Sequence, residues 1–246
     1  MTLREDAASR FSDLVDVYAK YRFREYPSKV LDVMFHGLGD PRKLVVADAG
    51  AGSGISSTFI ATRGCRVIAI EPNALMRASA PEHPLVQWRD GTAEATGLPD
   101  RSVDVAAAFQ AFHWFDPAAA LGEFRRIARH RIVSVQYEHE ESDPASAEFG
   151  SLLRAFSVDD SEALRRHALE TFASHAGSGM RTAILDVDWR ISLHELLGYV
   201  ASISFVPHKG VRARELSRQA EFLFGRYAKN GVLNLPLRLY VLALDT

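Results

Sequence analysis

From Lys43 onward the chain alternates two apolar patterns. The unbroken β-branched runs "KLVVADA" and "RVIAIE" predict strands buried on both faces, as in a parallel sheet. Between them, residues 54–63 open on glycine and serine and predict a helix. "LVQWRD" and "SVDVAAAF" predict third and fourth strands, and "RIVSVQY", residues 131–137, a fifth. Before that strand, Asp116-Pro117 places a side-chain oxygen at a helix cap and proline in the first turn. Leu121, Phe124, Ile127 and Ala128 are the expected buried stripe of this helix. Strands and helices alternating at this spacing imply right-handed crossovers and an α/β fold, Rossmann-like and doubly wound around a mostly parallel sheet.

Both flanks depart from that rhythm. Phe11, Leu14, Val15 and Tyr18 fall at helical spacing, so residues 9–20 predict an amphipathic helix, ended where Pro27 pushes Tyr26 toward extended backbone. Residues 143–176 read as helical throughout. "AILDVDWRI" is a sixth strand, Ser192 and Glu195 form a capping box, residues 211–229 predict a helix and "LRLYVLALD" a last, seventh strand. No repeat or polar linker divides the chain. It reads as a single domain over 1–246: a covering segment at 1–30, a core at 40–137, a helical lid at 138–180 and a completing part at 181–246.

Composition narrows the classes. With 246 residues, 47% hydrophobic and 24% charged, the chain has the profile of an ordinary globular domain, and its net charge of −2 gives no bulk drive toward nucleic acid or membrane. The single cysteine, Cys65, excludes an internal disulfide and a cysteine-only metal cage, and it reads as a buried small hydrophobe. "MTLREDAASR" alternates charges, no apolar run is long enough to span a bilayer, and the expected location is cytoplasmic.

The chemistry concentrates in "LVVADAGAGSG", residues 44–54. A dinucleotide site wants G-x-G-x-x-G, but from Gly50 the third position is Ile55, and from Gly52 it is Ser57. Asp48 at the strand end would also repel a pyrophosphate, whereas it suits an ammonium group. The turn therefore asks for a ligand with an amino-acid end and a nucleoside end. Asp48-Ala49-Gly50-Ala51-Gly52-Ser53-Gly54 resembles the first motif, D/E-x-G-x-G-x-G, of the class I S-adenosylmethionine-dependent methyltransferases. The resemblance spans roughly residues 10–137.

That resemblance implies S-adenosylmethionine as cofactor and S-adenosylhomocysteine as product. It places Asp48, Ala49, Gly50 and Gly52 at the cofactor, with Glu71, ahead of Pro72, accepting the ribose hydroxyls. "RDGTAEATGLPD" resembles the segment after the third strand, which puts Gly91, Thr92 and Ala93 by the adenine; Thr92 stands where the family usually has aspartate. Leu75 and Met76 are candidates for the apolar wall against the ring. "Y-x-x-Y-R-x-x-x-Y-P", Tyr18 to Pro27, resembles a segment that folds over the cofactor, with Tyr18, Tyr21 and Arg22 near its methionine end.

Ligands of open parallel sheets bind beyond the carboxyl ends of the strands. There the fourth strand delivers "FQAFHWFD", which resembles a small-molecule branch of the family including trans-aconitate methyltransferase. Gln110 and Ala111 would touch the cofactor, while His113, Trp114 and Tyr137 would border the acceptor. His113 is either a general base or an orienting group; a carboxylate acceptor would need no base. "YEHEESD", 137–143, reads as a solvated acidic lid entrance rather than a metal site, since neighbouring residues of an extended chain point to opposite sides. "EFRRIARHR", 123–131, reads as a solvated basic helix face, and Ser202, Ser204, His208 and Lys209 as a surface turn. The expected partner is a small-molecule acceptor, with no nucleic acid, membrane or metal. The rival functions are a non-catalytic cofactor-binding protein on the same scaffold and an NAD-dependent oxidoreductase.

Overall fold

The computed structural model describes residues 11–174 and 179–246. Strands β1 (Val45–Ala49), β2 (Arg66–Ile70), β3 (Val86–Arg89), β4 (Val103–Phe109), β5 (Ala128–His139), β6 (Met180–Val187) and β9 (Leu237–Asp245) form a seven-stranded sheet of order β3-β2-β1-β4-β5-β9-β6. β1 to β5 run parallel, and β9 is antiparallel to both of its neighbours. A small hairpin pairs β7 (Arg190–Ile191) with β8 (Leu233–Asn234).

Because the central strands are apolar at nearly every position, they bury both faces. Val46, Val105, Ala107, Val133 and Val135 point to one side, and Ala47, Ala106, Ala108 and Ile132 to the other. The first side is covered by helices α2 (Lys29–Phe35), α3 (Ile55–Ala61), α6 (Pro144–Phe156), α8 (Leu193–Ser202) and α9 (Gly210–Tyr227). The second is covered by α5 (Pro117–Ile127) and α7 (Ser161–Ser174). Two short helices, α1 (Val15–Tyr21) and α4 (Ala74–Ser79), lie at the carboxyl end of the sheet.

The expected caps form. Asp116 accepts from the Ala118 and Ala119 amides at the start of α5, and Ser192 with Glu195 closes both halves of the capping box on α8. The amino-terminal helix is shorter than its periodicity predicts: a 3₁₀ turn at Ser12–Leu14 leads into α1, and residues 9 and 10 lie outside the described residues.

Two expectations are corrected. The basic run 123–131 is not one helix face, because α5 stops at Ile127 and β5 starts at Ala128. Ala128 pairs with Val103, and Arg131, only 3% exposed, bonds Asp245 at 2.8 Å and the Met34 carbonyl at 2.7 Å. These long-range partners hold as strand a charged segment that local pattern assigns to a solvated helix. The acidic run 137–143 is likewise not a wholly solvated entrance: Glu138 and His139 continue β5, and Glu140 pairs with Arg238 at 2.6 Å.

Candidate functional site

Strand order reverses at β1, which lies between β2 and β4, so the carboxyl ends of these three strands open a crevice. The sequence places Asp48 near the end of β1, Glu71 directly after β2 and Gln110 directly after β4. Between the first two runs the glycine loop, pinned by the Gly50 and Ala51 amides donating to the Ile70 carbonyl at 2.9 and 3.1 Å.

The glycines are required there. Gly50, Gly52 and Gly54 have φ of +67°, +56° and +82°, and a Cβ on Gly50 would stand 2.7 Å from Ala111 Cβ and 3.0 Å from a Phe115 ring carbon. The loop thereby packs against the segment after β4. Around Gly52 there is ordinary van der Waals room, with Met76 and Tyr18 at 3.8 Å from such a Cβ.

Asp48 is fully buried. Its Oδ2 accepts from Ser56 and Ser57 hydroxyls at 2.7 and 2.6 Å, while Oδ1 has no partner. Burial raises its pKa to about 6, against the pull of the two serine hydroxyls. Glu71 is 8% exposed; one oxygen accepts from the Gly52 amide at 3.0 Å and the other from the Asn73 amide at 2.9 Å. Burial raises its pKa too, and the two amides oppose the rise. Gln110 takes φ of +51°, unusual for a residue with a side chain, and its Nε2 is buried without a partner.

The amino-terminal segment closes over this crevice. Tyr18, Arg22, Phe23 and Tyr26 line a cavity together with Gly50, Ala51, Ser53, Ile55, Ser56, Phe109, Gln110 and Tyr137. The Arg22 guanidinium lies 4.8 Å from the Tyr18 ring centre and 5.7 Å from that of Tyr199, and makes no ion pair among the described residues. Phe11 meets Tyr18 and Trp114 edge to face at 5.4 and 5.8 Å, and Asn73 Nδ2 donates to Ser12 Oγ at 3.1 Å.

The structure thus brings Tyr18, Arg22, Gly50, Gln110 and Tyr137 to one cavity. Ala49, Gly52, Met76, Ala93 and Ala111 are buried or half-buried but do not line it, and Pro72 and Gly91 are half-buried after β2 and β3. Thr92 is exposed, and its backbone exchanges hydrogen bonds with Ala95. Leu75 faces solvent while Met76 faces inward. Tyr21 turns away from the cavity, its hydroxyl sharing a hydrogen bond with His194 Nε2 at 2.8 Å.

His113 and Trp114 sit on a 3₁₀ turn after β4, their rings 4.9 Å apart. His113 is buried, its Nδ1 has no partner, and burial with the charges of Arg165 and Arg22 holds its pKa well below 6.5. Tyr137 is buried, and burial raises its phenol pKa. Among the described residues no group of three or more His, Cys, Asp or Glu could hold a metal, and no helix is long and apolar enough to cross a membrane. Cys65 is fully buried, with Sγ 3.4 Å from the Ile60 carbonyl.

Sequence reasoning misses Tyr26, Tyr199, His139 and Arg165, which local pattern does not distinguish from core or surface. Tyr26 shows only as an aromatic before proline.

Comparison with known proteins follows the same lines. The methyltransferase domain model matches residues 47–131. An uncharacterized methyltransferase of Mycobacterium tuberculosis is 35% identical over 130 residues, 51% of this chain and 50% of that protein. An uncharacterized methyltransferase-like protein of Schizosaccharomyces pombe is 24% identical over 186 residues, 74% of this chain and 73% of that one. The chain spans about half the length of the mycobacterial relatives it matches. A solved structure from Anaeromyxobacter dehalogenans, assigned as a type II methyltransferase, superposes with a TM-score of 0.66 at 27% identity, over 91% of this chain and 98% of that one. Residues 47–131 thus match a methyltransferase domain, and over most of its length the chain shares its fold with a solved structure assigned as a methyltransferase, in keeping with the sheet order and the glycine loop.

Proposed function

We propose that the chain transfers the methyl group of S-adenosylmethionine to a small-molecule acceptor, at a carboxylate or hydroxyl oxygen in preference to carbon. One observation carries the reading: a glycine loop in left-handed conformation between two buried carboxylates, one of which, Asp48, keeps an oxygen without a partner. A buried orphan carboxylate oxygen asks for a cation. Arg22, which lines the cavity against the glycine loop and forms no ion pair among the described residues, asks for a carboxylate. An α-amino acid end supplies both.

In this reading Asp48 holds the ammonium and Arg22 the carboxylate of the methionine portion, with Tyr18, Ala49, Gly50, Gly52, Gln110 and Ala111 around it. Glu71 receives the ribose hydroxyls. Pro72, Met76, Gly91, Thr92 and Ala93 border the adenine, and Tyr21 serves indirectly by fastening α1. The cofactor would supply an activated sulfonium methyl group. The chain's task is then to align the reactants and exclude water, an effect worth on the order of 7–11 kcal/mol in favourable systems. Trp114 and Phe115 form apolar walls, and Tyr137 and a neutral His113 offer hydrogen bonds that orient the acceptor. Segment 138–180 is the lid that shapes specificity.

The test is a thermal shift with S-adenosylhomocysteine beside NADH. At about a hundred times its dissociation constant a ligand stabilises by ~2.7 kcal/mol, a rise of roughly 5–11 °C for this length. A rise with S-adenosylhomocysteine alone is expected, and a rise with NADH alone overturns the reading. Turnover across an acceptor panel then separates the enzyme from a cofactor-binding protein without activity.

A further inference from the structure

Beyond the cofactor crevice, unpartnered polar atoms gather near the 3₁₀ turn after β4, on which α7 packs. Arg165 of α7 has its Nε buried without a hydrogen-bond partner, and it forms no ion pair with any described residue. Its guanidinium lies 5.7 Å from the Phe205 ring centre. Its helix packs on the turn that carries His113, and its charge reaches His113, Tyr137 and His139.

The histidines there are also unsatisfied. His113 lacks a partner at Nδ1, and His139 lacks one at both ring nitrogens while standing 5.1 Å from Phe149 and 6.2 Å from Tyr199. Burial and the charges of Arg165, Arg154 and Arg22 lower the His139 pKa to about 3, so it is neutral. The charges acting on His113 and His139 are all arginines. Arg165 is half-buried with its Nε fully buried, and a buried donor of a charged group with neutral, unfilled neighbours and no carboxylate partner among the described residues is costly unless something anionic completes it.

Resting on the methyltransferase reading, we infer that Arg165 anchors a carboxylate of the acceptor, with His113 and His139 completing its hydrogen bonds. Charge counting selects the class. With S-adenosylhomocysteine bound, whose sulfur is uncharged, Arg22 is matched by the carboxylate of the methionine portion, which leaves Arg165 as the one positive charge for the acceptor. That balances a monoanionic organic acid and leaves a phosphate dianion half unpaired. The rings of Trp114, Tyr199 and Phe205 nearby suit an apolar body behind the acid group.

The test uses the whole chain, wild type and Arg165→Met, saturated with S-adenosylhomocysteine. Benzoate, cinnamate and hexanoate are compared at equal concentration with their amides and with phenyl phosphate, by thermal shift. At least one acid should raise the wild-type Tm above its amide, and Arg165→Met should abolish the difference. Without any acceptor, Arg165→Met should not lower Tm, because no ion pair with a described residue is lost. A fall would mark a structural arginine and overturn the inference, as would equal response to acids and amides, no response to any acid, or a preference for phenyl phosphate. Failure of the methyltransferase reading is separate: it shows as no shift with S-adenosylhomocysteine itself.

Discussion

Gly198, in the middle of α8, lies directly under the ring of Tyr21: a Cβ there would stand 2.4–2.6 Å from three atoms of the ring. The ring also meets His194, one turn earlier on α8, edge to face at 5.4 Å. The two contacts fasten α1, and with it Tyr18 and Arg22, over the crevice. α1 has no buried residue of its own, so this seat stands in for the usual core anchor of a helix.

Gly198→Ala therefore tests the seat by its sign. In an ordinary helix interior the change gains about 1 kcal/mol. Here the added methyl has to displace an aromatic ring, and overpacking costs about 1–3 kcal/mol. Chemical denaturation is expected to show a loss of stability, with weaker S-adenosylhomocysteine binding as α1 loosens. Tyr21→Ala in the Gly198→Ala background should restore part of the stability, since it removes the clash. A plain gain on Gly198→Ala would show that α1 does not rest on this glycine.

Asp48 gives a pH dependence with a definite sign. Its folded pKa, about 6, lies above the ordinary carboxylate value of 3.8. The folded state thus binds the proton more tightly, and stability falls as pH rises from about 4 through 6. The loss is complete above that and amounts to about 3 kcal/mol. Asp48→Asn removes the charge, so it is expected to be more stable than wild type at pH 8 and to match it near pH 4. Under the proposed function it also binds S-adenosylhomocysteine more weakly, because the ammonium loses its counter-charge. Denaturation at the two pH values checks the first part, and titration calorimetry the second. Equal stability at both pH values would mean that Asp48 is not desolvated.

Glu71 holds the loop as well as facing the crevice, since it accepts from the Gly52 and Asn73 amides. Glu71→Ala frees both donors, and each buried orphan costs about 1–3 kcal/mol. Both Tm and S-adenosylhomocysteine affinity should fall. Glu71→Gln keeps a carbonyl oxygen for one amide and should be milder on both measures. Unchanged affinity in Glu71→Ala would remove Glu71 from the ribose.

The parts of this site carried by local pattern are legible in the sequence itself. The glycine spacing, the acidic residues at the ends of β1 and β2, Asp116-Pro117 and the Ser192–Glu195 box are short-range patterns whose physics is complete within a few residues. What stays hidden depends on distant partners. Arg131 looks like helix surface until Asp245 and the Met34 carbonyl reach it from other elements. Arg165 stands 52 positions after His113, and its charge reaches it only because α7 packs on the turn after β4. Tyr21 reads as a cofactor contact by its neighbours in sequence, and its side chain turns instead to a glycine far along the chain.

His113 supplies the last test, because it separates a titrating base from an orienting group. Burial, together with Arg165 and Arg22, disfavours its imidazolium and favours the neutral ring. A neutral ring offers one donor and one acceptor, and burial makes costly the imidazolium that a general base would have to become. The pH profile of kcat/KM is accordingly expected to show no break near 6.5 attributable to this residue. His113→Asn, which keeps a hydrogen-bonding group of similar reach, should retain more activity than His113→Phe, and the two should differ in KM more than in kcat. A break between pH 6 and 7 that vanishes in His113→Asn would falsify this assignment and return His113 to the role of general base.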